Sequence, residues 1–223
     1  MEAKKREMIN EERTVIDEDL IIQAVLEERK YNLDETIPDL KVEEDVNLDK
    51  IDSLSLTHKK IFSISNLDGF NLRKLVLNSN IIEKIEGLDH LVNLEWLDLS
   101  FNRISKIEGL DNLVNLKDLS LHKNKITKVE GLDNLKKLQI LSLGENEISS
   151  MGVFQDLRKF KSLRVVNLRG NPVSRNDSYI SSVIAFLPHV QYLDFKLLQP
   201  TPEQKDYYPS DLDRLVKDEK KNA

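Results

Sequence analysis

The feature that most constrains this chain is a pattern that returns at a fixed interval. Leu72-x-x-Leu75-x-Leu77-x-x-Asn80 is followed by Leu94-x-x-Leu97-x-Leu99-x-x-Asn102, Leu116-x-x-Leu119-x-Leu121-x-x-Asn124 and Leu138-x-x-Leu141-x-Leu143-x-x-Asn146, each 22 residues after the one before. A fifth copy, Leu163-x-x-Val166-x-Leu168-x-x-Asn171, arrives 25 residues later. Ile51-x-x-Leu54-x-Leu56 precedes the set with Lys59 in the asparagine position, and Val190-x-x-Leu193-x-Phe195 reads as a final strand. Leu-x-Leu alternation makes a short strand with one face buried. The chain then reverses at the asparagine and returns through Ile-x-x-Ile and Gly-Leu-x-x-Leu. One such coil cannot bury its own leucines, but stacked coils bury them between neighbours, with altered units at the ends. Strands stacked about 4.7–4.9 Å apart would then form a parallel sheet on the concave side.

This pattern is that of leucine-rich repeats. The expected fold class is therefore α/β: a leucine-rich-repeat solenoid with 22-residue repeats, a concave parallel β-sheet, an N-terminal helix and a C-terminal cap. Residues 1–49 are read as an N-terminal helix and acidic connector, 50–174 as the repeats, 175–198 as the cap, and 199–223 as a polar tail with a short helix. Asp17 can cap the first helix, with Glu18 and Asp19 in its first turn and Leu20, Ile21, Ala24, Val25 and Leu26 on it. Its expected role is to cover the open edge of the first coil. The cap helix is expected over Ser178 to Phe186. In the tail, Ser210-x-x-Asp213 resembles a helix start after Pro200, Pro202 and Pro209.

The recurrent polar residues are read as architecture. An inward asparagine amide at Asn80, Asn102, Asn124, Asn146 and Asn171 can satisfy backbone groups of adjacent turns. Gly87, Gly109 and Gly131 fall where a tight return or close backbone approach favours a residue without a side chain.

The composition excludes several function classes. Cysteine is absent, so neither disulfides nor thiolate metal sites are expected. The sequence has no apolar run long enough for a membrane span, and the charged opening from Met1 to Arg13 lacks a signal-like apolar stretch, which points to a cytosolic or nuclear location and no membrane partner. A net charge of −6 argues against a general nucleic-acid binder. The four histidines, His58, His90, His122 and His189, are spread over different repeats. No nucleophile, zinc or phosphate-loop motif accompanies them, so no catalytic residue, metal or cofactor is expected.

Binding is the remaining class. Alternation sends Lys74, Val76, Asn78, Trp96, Asp98, Ser100, Asp118, Ser120, His122, Ile140, Ser142, Val165, Asn167, Arg169, Tyr192, Asp194 and Lys196 away from the core. Trp96, Ile140, Val165 and Tyr192 fall in one column with Phe101 nearby, whereas an idle face would be polar. Lys74, Trp96, Phe101, Asp118, His122, Ile140, Val165, Arg169 and Tyr192 are thus the candidate partner-binding residues of the concave face, since aromatic and arginine anchors dominate interface energetics. On the return segments Lys84, Lys106 and Lys128 align beside Arg103 and Lys125 as a basic ladder. Glu86, Glu108, Glu130 and Asp89, Asp111, Asp133 form an acidic ladder next to it, so a solvated surface is expected, with contact to an acidic polymer such as a tubulin tail as the alternative.

The wording between repeats is more specific than their spacing. Ile82-Glu83-Lys84-Ile85-Glu86-Gly87-Leu88, Trp96-Leu97-Asp98-Leu99-Ser100-Phe101-Asn102 and Leu141-Ser142-Leu143-Gly144-Glu145-Asn146 resemble the dynein regulatory complex subunit 3 family. The likeness extends to the Ile16 to Val25 helix, to Leu157-Arg158-Lys159-Phe160-Lys161-Ser162-Leu163-Arg164 and to Leu187-Pro188-His189-Val190-Gln191-Tyr192-Leu193-Asp194, over residues 14–215. That family continues into long coiled-coil helices, whereas this sequence stops at Ala223 without them. The resemblance implies a structural subunit of the nexin-dynein regulatory complex in the axoneme of motile cilia and flagella, which links doublet microtubules and restrains dynein. The partners it implies are other axonemal proteins, above all coiled-coil subunits of that complex, with possible dynein or tubulin contact; the location it implies is the cytoplasm, cytoskeleton and ciliary axoneme. Two alternatives share the rhythm. The repeats are similar to those of the nuclear regulatory subunit of protein phosphatase 1, and their cap and size are similar to those of the outer-arm dynein light chain 1 family.

Overall fold

In the computed structural model, which describes residues 13–31 and 46–198, each Leu-x-Leu becomes one rung of a continuous sheet. The rungs are β1 (Ser53–Ser55), β2 (Lys74–Val76), β3 (Trp96–Asp98), β4 (Asp118–Ser120), β5 (Ile140–Ser142), β6 (Val165–Asn167) and β7 (Tyr192–Leu193). They pair in chain order and in parallel, so that Leu54, Leu75, Leu97, Leu119, Leu141, Val166 and Leu193 stack in one register. All seven are buried, as is the second leucine of each full repeat, which confirms the predicted solenoid.

The asparagines hold neighbouring coils together. Asn124 donates from Nδ2 to the carbonyls of Leu99 and Leu121, at 3.0 and 3.1 Å, and accepts from the Ile104 N–H at 2.9 Å. Asn102, Asn146 and Asn171 repeat the arrangement, and Asn80 applies it to the first coil by accepting from Lys59 and Ile61. A second row of backbone bonds, from Arg103 to Ile82, Lys125 to Ile104 and Glu147 to Ile126, ties each coil again beyond the turn. Gly109 has φ +67°, and a Cβ there would sit 2.5 Å from the Ile85 carbonyl oxygen, so both conformation and space demand glycine.

The ends are closed differently. Helix α1 (Glu18–Tyr31) begins where Asp17 Oδ1 accepts from the Leu20 N–H at 2.8 Å, as its sequence predicts. It buries Ile21, Ala24 and Val25 against the first coil. Asn66 donates to the Ile16 carbonyl at 2.8 Å and Lys59 pairs with Glu27 at 2.9 Å, which fixes that cover in place. The unit with the longer spacing uses its added residues for a helical turn, α2 (Val153–Leu157), that buries Val153, Phe154 and Leu157. Helix α3 (Tyr179–Phe186) then leads into β7.

The final strand differs from expectation. Leu193 is buried, but the chain turns at Asp194 and Phe195, whose φ values are +50° and +68°, and comes back as β8 (Lys196–Leu197), antiparallel to β7. Phe195 is therefore not the second buried residue of a Leu-x-Leu pair; it stands 75% exposed at the hairpin tip. The turn carries the Phe195 side chain out to the hairpin tip, and Leu198 fills the end of the core instead. Of the acidic connector expected up to residue 49, only the part from 46 on is described, and the tail helix expected near Ser210 lies outside the described residues. No helix among the described residues is long and apolar enough to cross a membrane.

Candidate functional site

Each strand buries its middle residue and presents its first and third side chains to the concave surface, and the register orders them. Lys74, Trp96, Asp118, Ile140, Val165 and Tyr192 are consecutive partners from β2 to β7. The column anticipated from alternation is thus continuous. Trp96 is 45% exposed, Ile140 37% and Tyr192 39%, while Lys74, Asp118 and Val165 are half-buried beside them. The Lys74 ammonium lies over the Trp96 ring, 4.4 Å from its centre.

A second aromatic position lies where β3 exits. Phe101 has φ +56°, part of a left-handed position shared by Ser79, Lys123 and Glu145 in the adjacent repeats. It is 45% exposed and meets His122 edge to face at 5.4 Å, with Lys123 over its ring at 5.1 Å. His122 Nε2 stands 3.6 Å from Glu145 Oε1, while its Nδ1 is buried without a partner. The ring can occupy that place because the next repeat has Gly144: a Cβ there would come within 2.9 Å of His122 Nδ1 and 2.8 Å of Asn167 Nδ2. Arg169, also among the candidates, follows β6 and is exposed two strands from Asp118.

Between these groups lies a small acidic centre. Asp98 on β3 accepts from the Ser100 N–H at 2.9 Å and from the Ser100 hydroxyl, and Ser120 joins this chain through an Oγ to Oγ distance of 2.7 Å. Burial, and then the neighbouring Asp98 charge, push the Asp118 carboxyl up to about 6. Among the described residues no donor or cation meets the Asp118 side chain.

Some residues expected to leave the core do so without reaching solvent. Ser100 and Asn167 are buried, because the concave curvature crowds small polar groups beneath their larger neighbours. Asp194 is turned into the cap, where it accepts from the Leu168 N–H at 2.8 Å and the Tyr179 hydroxyl at 2.9 Å. Sequence reasoning passed over Gly144 and Glu145. Gly144 departs from the polar residues at its position in other repeats, which is the signal that could have found it.

The basic ladder is paired with its acidic neighbour. Lys84 meets Glu86 at 3.2 Å and Lys106 meets Glu108 at 3.0 Å, and Lys159 pairs with Asp133. The bond to Glu108 is the main cause that holds the Lys106 ammonium above its ordinary range. Arg103, Lys125 and Lys128 are exposed on the same side. Among the described residues no group of three or more histidine, aspartate and glutamate side chains is placed to hold a metal ion.

Comparison with known proteins bears on the fold. A leucine-rich repeat family profile matches residues 92–211, and a two-copy leucine-rich repeat profile matches residues 70–112. No curated protein sequence matches the chain. An internalin, InlF from Listeria monocytogenes, is 28% identical with a TM-score of 0.57 over 79% of this chain and 55% of its own, so this chain spans about half the length of that protein. Internalin C2 from the same organism is 25% identical, with a TM-score of 0.58 over 78% of this chain and 72% of its own. A chain of the Drosophila melanogaster SNF/U2A' complex, 24% identical with a TM-score of 0.51, covers 74% of this chain and 87% of its own, a likeness of fold. With coils locked by an asparagine ladder and a family match over more than half of its residues, this chain belongs to the leucine-rich repeat family.

Proposed function

We propose that this chain is a non-enzymatic adaptor of the nexin-dynein regulatory complex in motile cilia, docking a coiled-coil subunit on its concave face and so helping to link doublet microtubules and regulate dynein. The observation that carries the docking surface is the apolar column. Trp96, Ile140, Val165 and Tyr192 lie in one register on a face that a solvated scaffold would keep polar, and Trp96 presents nearly half its surface to solvent. A rigid sheet holds these anchors before any partner arrives, which lowers the ordering cost of binding. The axonemal assignment is supported by wording between the repeats, notably Trp96 to Asn102 and Leu187 to Asp194. The basic row at Lys106 and Lys128 is the candidate for secondary contact with tubulin.

The test is to express the tagged chain in ciliated cells and fractionate axonemes. Recovery with doublets after dynein extraction, and its loss on Trp96→Ala with folding intact, are the expected results. Release together with the outer arms, or recovery with a phosphatase and no axonemal fraction, would overturn the assignment.

A further inference from the structure

Resting on the reading of the concave sheet as a docking face, we propose that this face selects an amphipathic helix carrying one lysine or arginine between apolar residues, the base seated on Asp118 and the apolar neighbours on Trp96 and Ile140.

The spacing comes from the register. Trp96, Asp118, Ile140, Val165 and Tyr192 occupy successive strands. Parallel strands lie about 4.8 Å apart, so Trp96 and Ile140 are separated by roughly 9.6 Å. A helix rises about 1.5 Å per residue, so three or four residues advance about one strand and seven advance about 10.5 Å. A helix laid across the strands therefore keeps step with the column. It places residue i on Trp96, i+3 or i+4 on Asp118, i+7 on Ile140, and the next two positions of the same stripe on Val165 and Tyr192. That is a coiled-coil stripe with one position made basic.

Charge complementarity decides that position. Asp118 pairs with Trp96 and feels the charge of Asp98, diagonal to it on the adjacent strand, and it meets no cation among the described residues. Of the bases nearest to it, Lys74 lies over the Trp96 ring, Lys123 lies over the Phe101 ring and 3.9 Å from Glu145, and His122 stands beside Glu145, while Arg169 follows β6, two strands away. An apolar residue set on Asp118 would bury a carboxylate without a partner, whereas a lysine or arginine would supply the missing charge. The raised carboxyl of Asp118 agrees, since it marks a site where the anion is poorly solvated and uncompensated.

The test uses the full chain and a displayed library of tryptophan-free helical peptides of about three heptads, with stripe positions randomised. Trp96 is the chain's single tryptophan, so its emission reports occupancy directly. The expected result is enrichment of Lys or Arg at one stripe position flanked by apolar residues, with a blue shift of Trp96 emission on binding. Asp118→Lys should weaken such peptides about tenfold or more and enrich Glu or Asp in their place. Asp118→Asn, which keeps shape and removes charge, should give an intermediate loss and controls for misfolding. If peptides bind in a Trp96-dependent way but replacing their base with Gln changes affinity less than about twofold, the basic-residue inference fails and the concave docking face stands. If they bind equally well to Trp96→Ala, both fail. No enriched helix, a Trp96-dependent dimer, or a blue-shifted emission in the free monomer would overturn the inference in favour of no partner helix, a second copy, or the chain's own segments on this face.

Discussion

The Lys74 ammonium rests 4.4 Å from the centre of the Trp96 ring, one strand across the concave sheet. This contact holds the largest exposed side chain of the column in a defined place without burying it. A cation over an indole at such a partly exposed site contributes about 0.5–1 kcal/mol, so the pair orients Trp96 more than it supports the fold. Leu97 next in sequence is in the opposite position: it is fully buried between coils.

The first prediction separates these two adjacent residues. Trp96→Ala should weaken partner capture by about 2 kcal/mol or more, roughly thirtyfold, and lower stability by no more than about 1 kcal/mol. Leu97→Ala should cost about 2–5 kcal/mol of stability by leaving a cavity in the shared core. Urea melts and pull-downs on both variants check it. Equal midpoints for Leu97→Ala and the wild type would contradict the strand register.

A second prediction contrasts two glycines with positive φ. Gly109 has its would-be Cβ 2.5 Å from the Ile85 carbonyl oxygen, while Gly69, at φ +91°, has nothing within 4 Å of that position. Gly69→Ala should cost about 1–2 kcal/mol from backbone handedness alone. Gly109→Ala carries the same term and must also push two coils apart, so its denaturation midpoint should fall clearly further. Equal losses would mean that the coils are not in contact at this point.

Asp118 makes the stability of the chain depend on pH in a defined direction. Its folded carboxyl is pushed up to about 6 from an ordinary value of 3.8, so the folded state prefers it protonated. The stabilising contribution of this group is complete below about pH 4 and disappears as pH rises through 6. Asp118→Asn cannot ionise and escapes that loss. Thermal melts should show the variant near wild type at pH 4 and more stable by about 1 kcal/mol above pH 7, a figure reduced from the full shift because this carboxyl is partly solvated. A difference that stays constant from pH 4 to 8 would show that Asp118 is not titrating in this window.

Much of this architecture was legible from spacing alone because each coil repeats the same solution. The strand register, the asparagine ladder and the column through Trp96 and Tyr192 all follow from a leucine at fixed intervals. What spacing does not reveal is set by contacts between repeats or by local turns. Gly144 matters because His122 and Asn167 lean across it from either side. The pairing of Lys84 with Glu86 and Lys106 with Glu108 was foreseen as opposing ladders, but their partner geometry was not. Phe195 follows the repeat pattern and yet is exposed, because the chain turns through positive φ at Asp194 and Phe195 before the second buried position of the strand is reached.

The last prediction concerns that terminal coil. The Tyr179 hydroxyl on α3 donates to Asp194 Oδ2 at 2.9 Å, and the other oxygen of the same carboxylate accepts from the Leu168 N–H at 2.8 Å. Asp194 thereby ties the cap helix to the chain just past β6, at the point where β7 turns away into its hairpin with β8. Burial and the Asp194 charge push the Tyr179 phenol well above its ordinary range, so it remains a donor throughout neutral and mildly alkaline conditions. Tyr179→Phe removes one bond to a charged acceptor and should cost about 1.5–3 kcal/mol, whereas Asp194→Ala should cost more because it also strands a buried hydroxyl and the Leu168 N–H. Hydrogen exchange should show the loss first at Leu168 and across β7 and β8, with β2 to β4 retaining their protection, since a solenoid transmits such damage mainly to its nearest coil. Uniform loss of protection along the whole sheet would show that the cap is not an independent end piece.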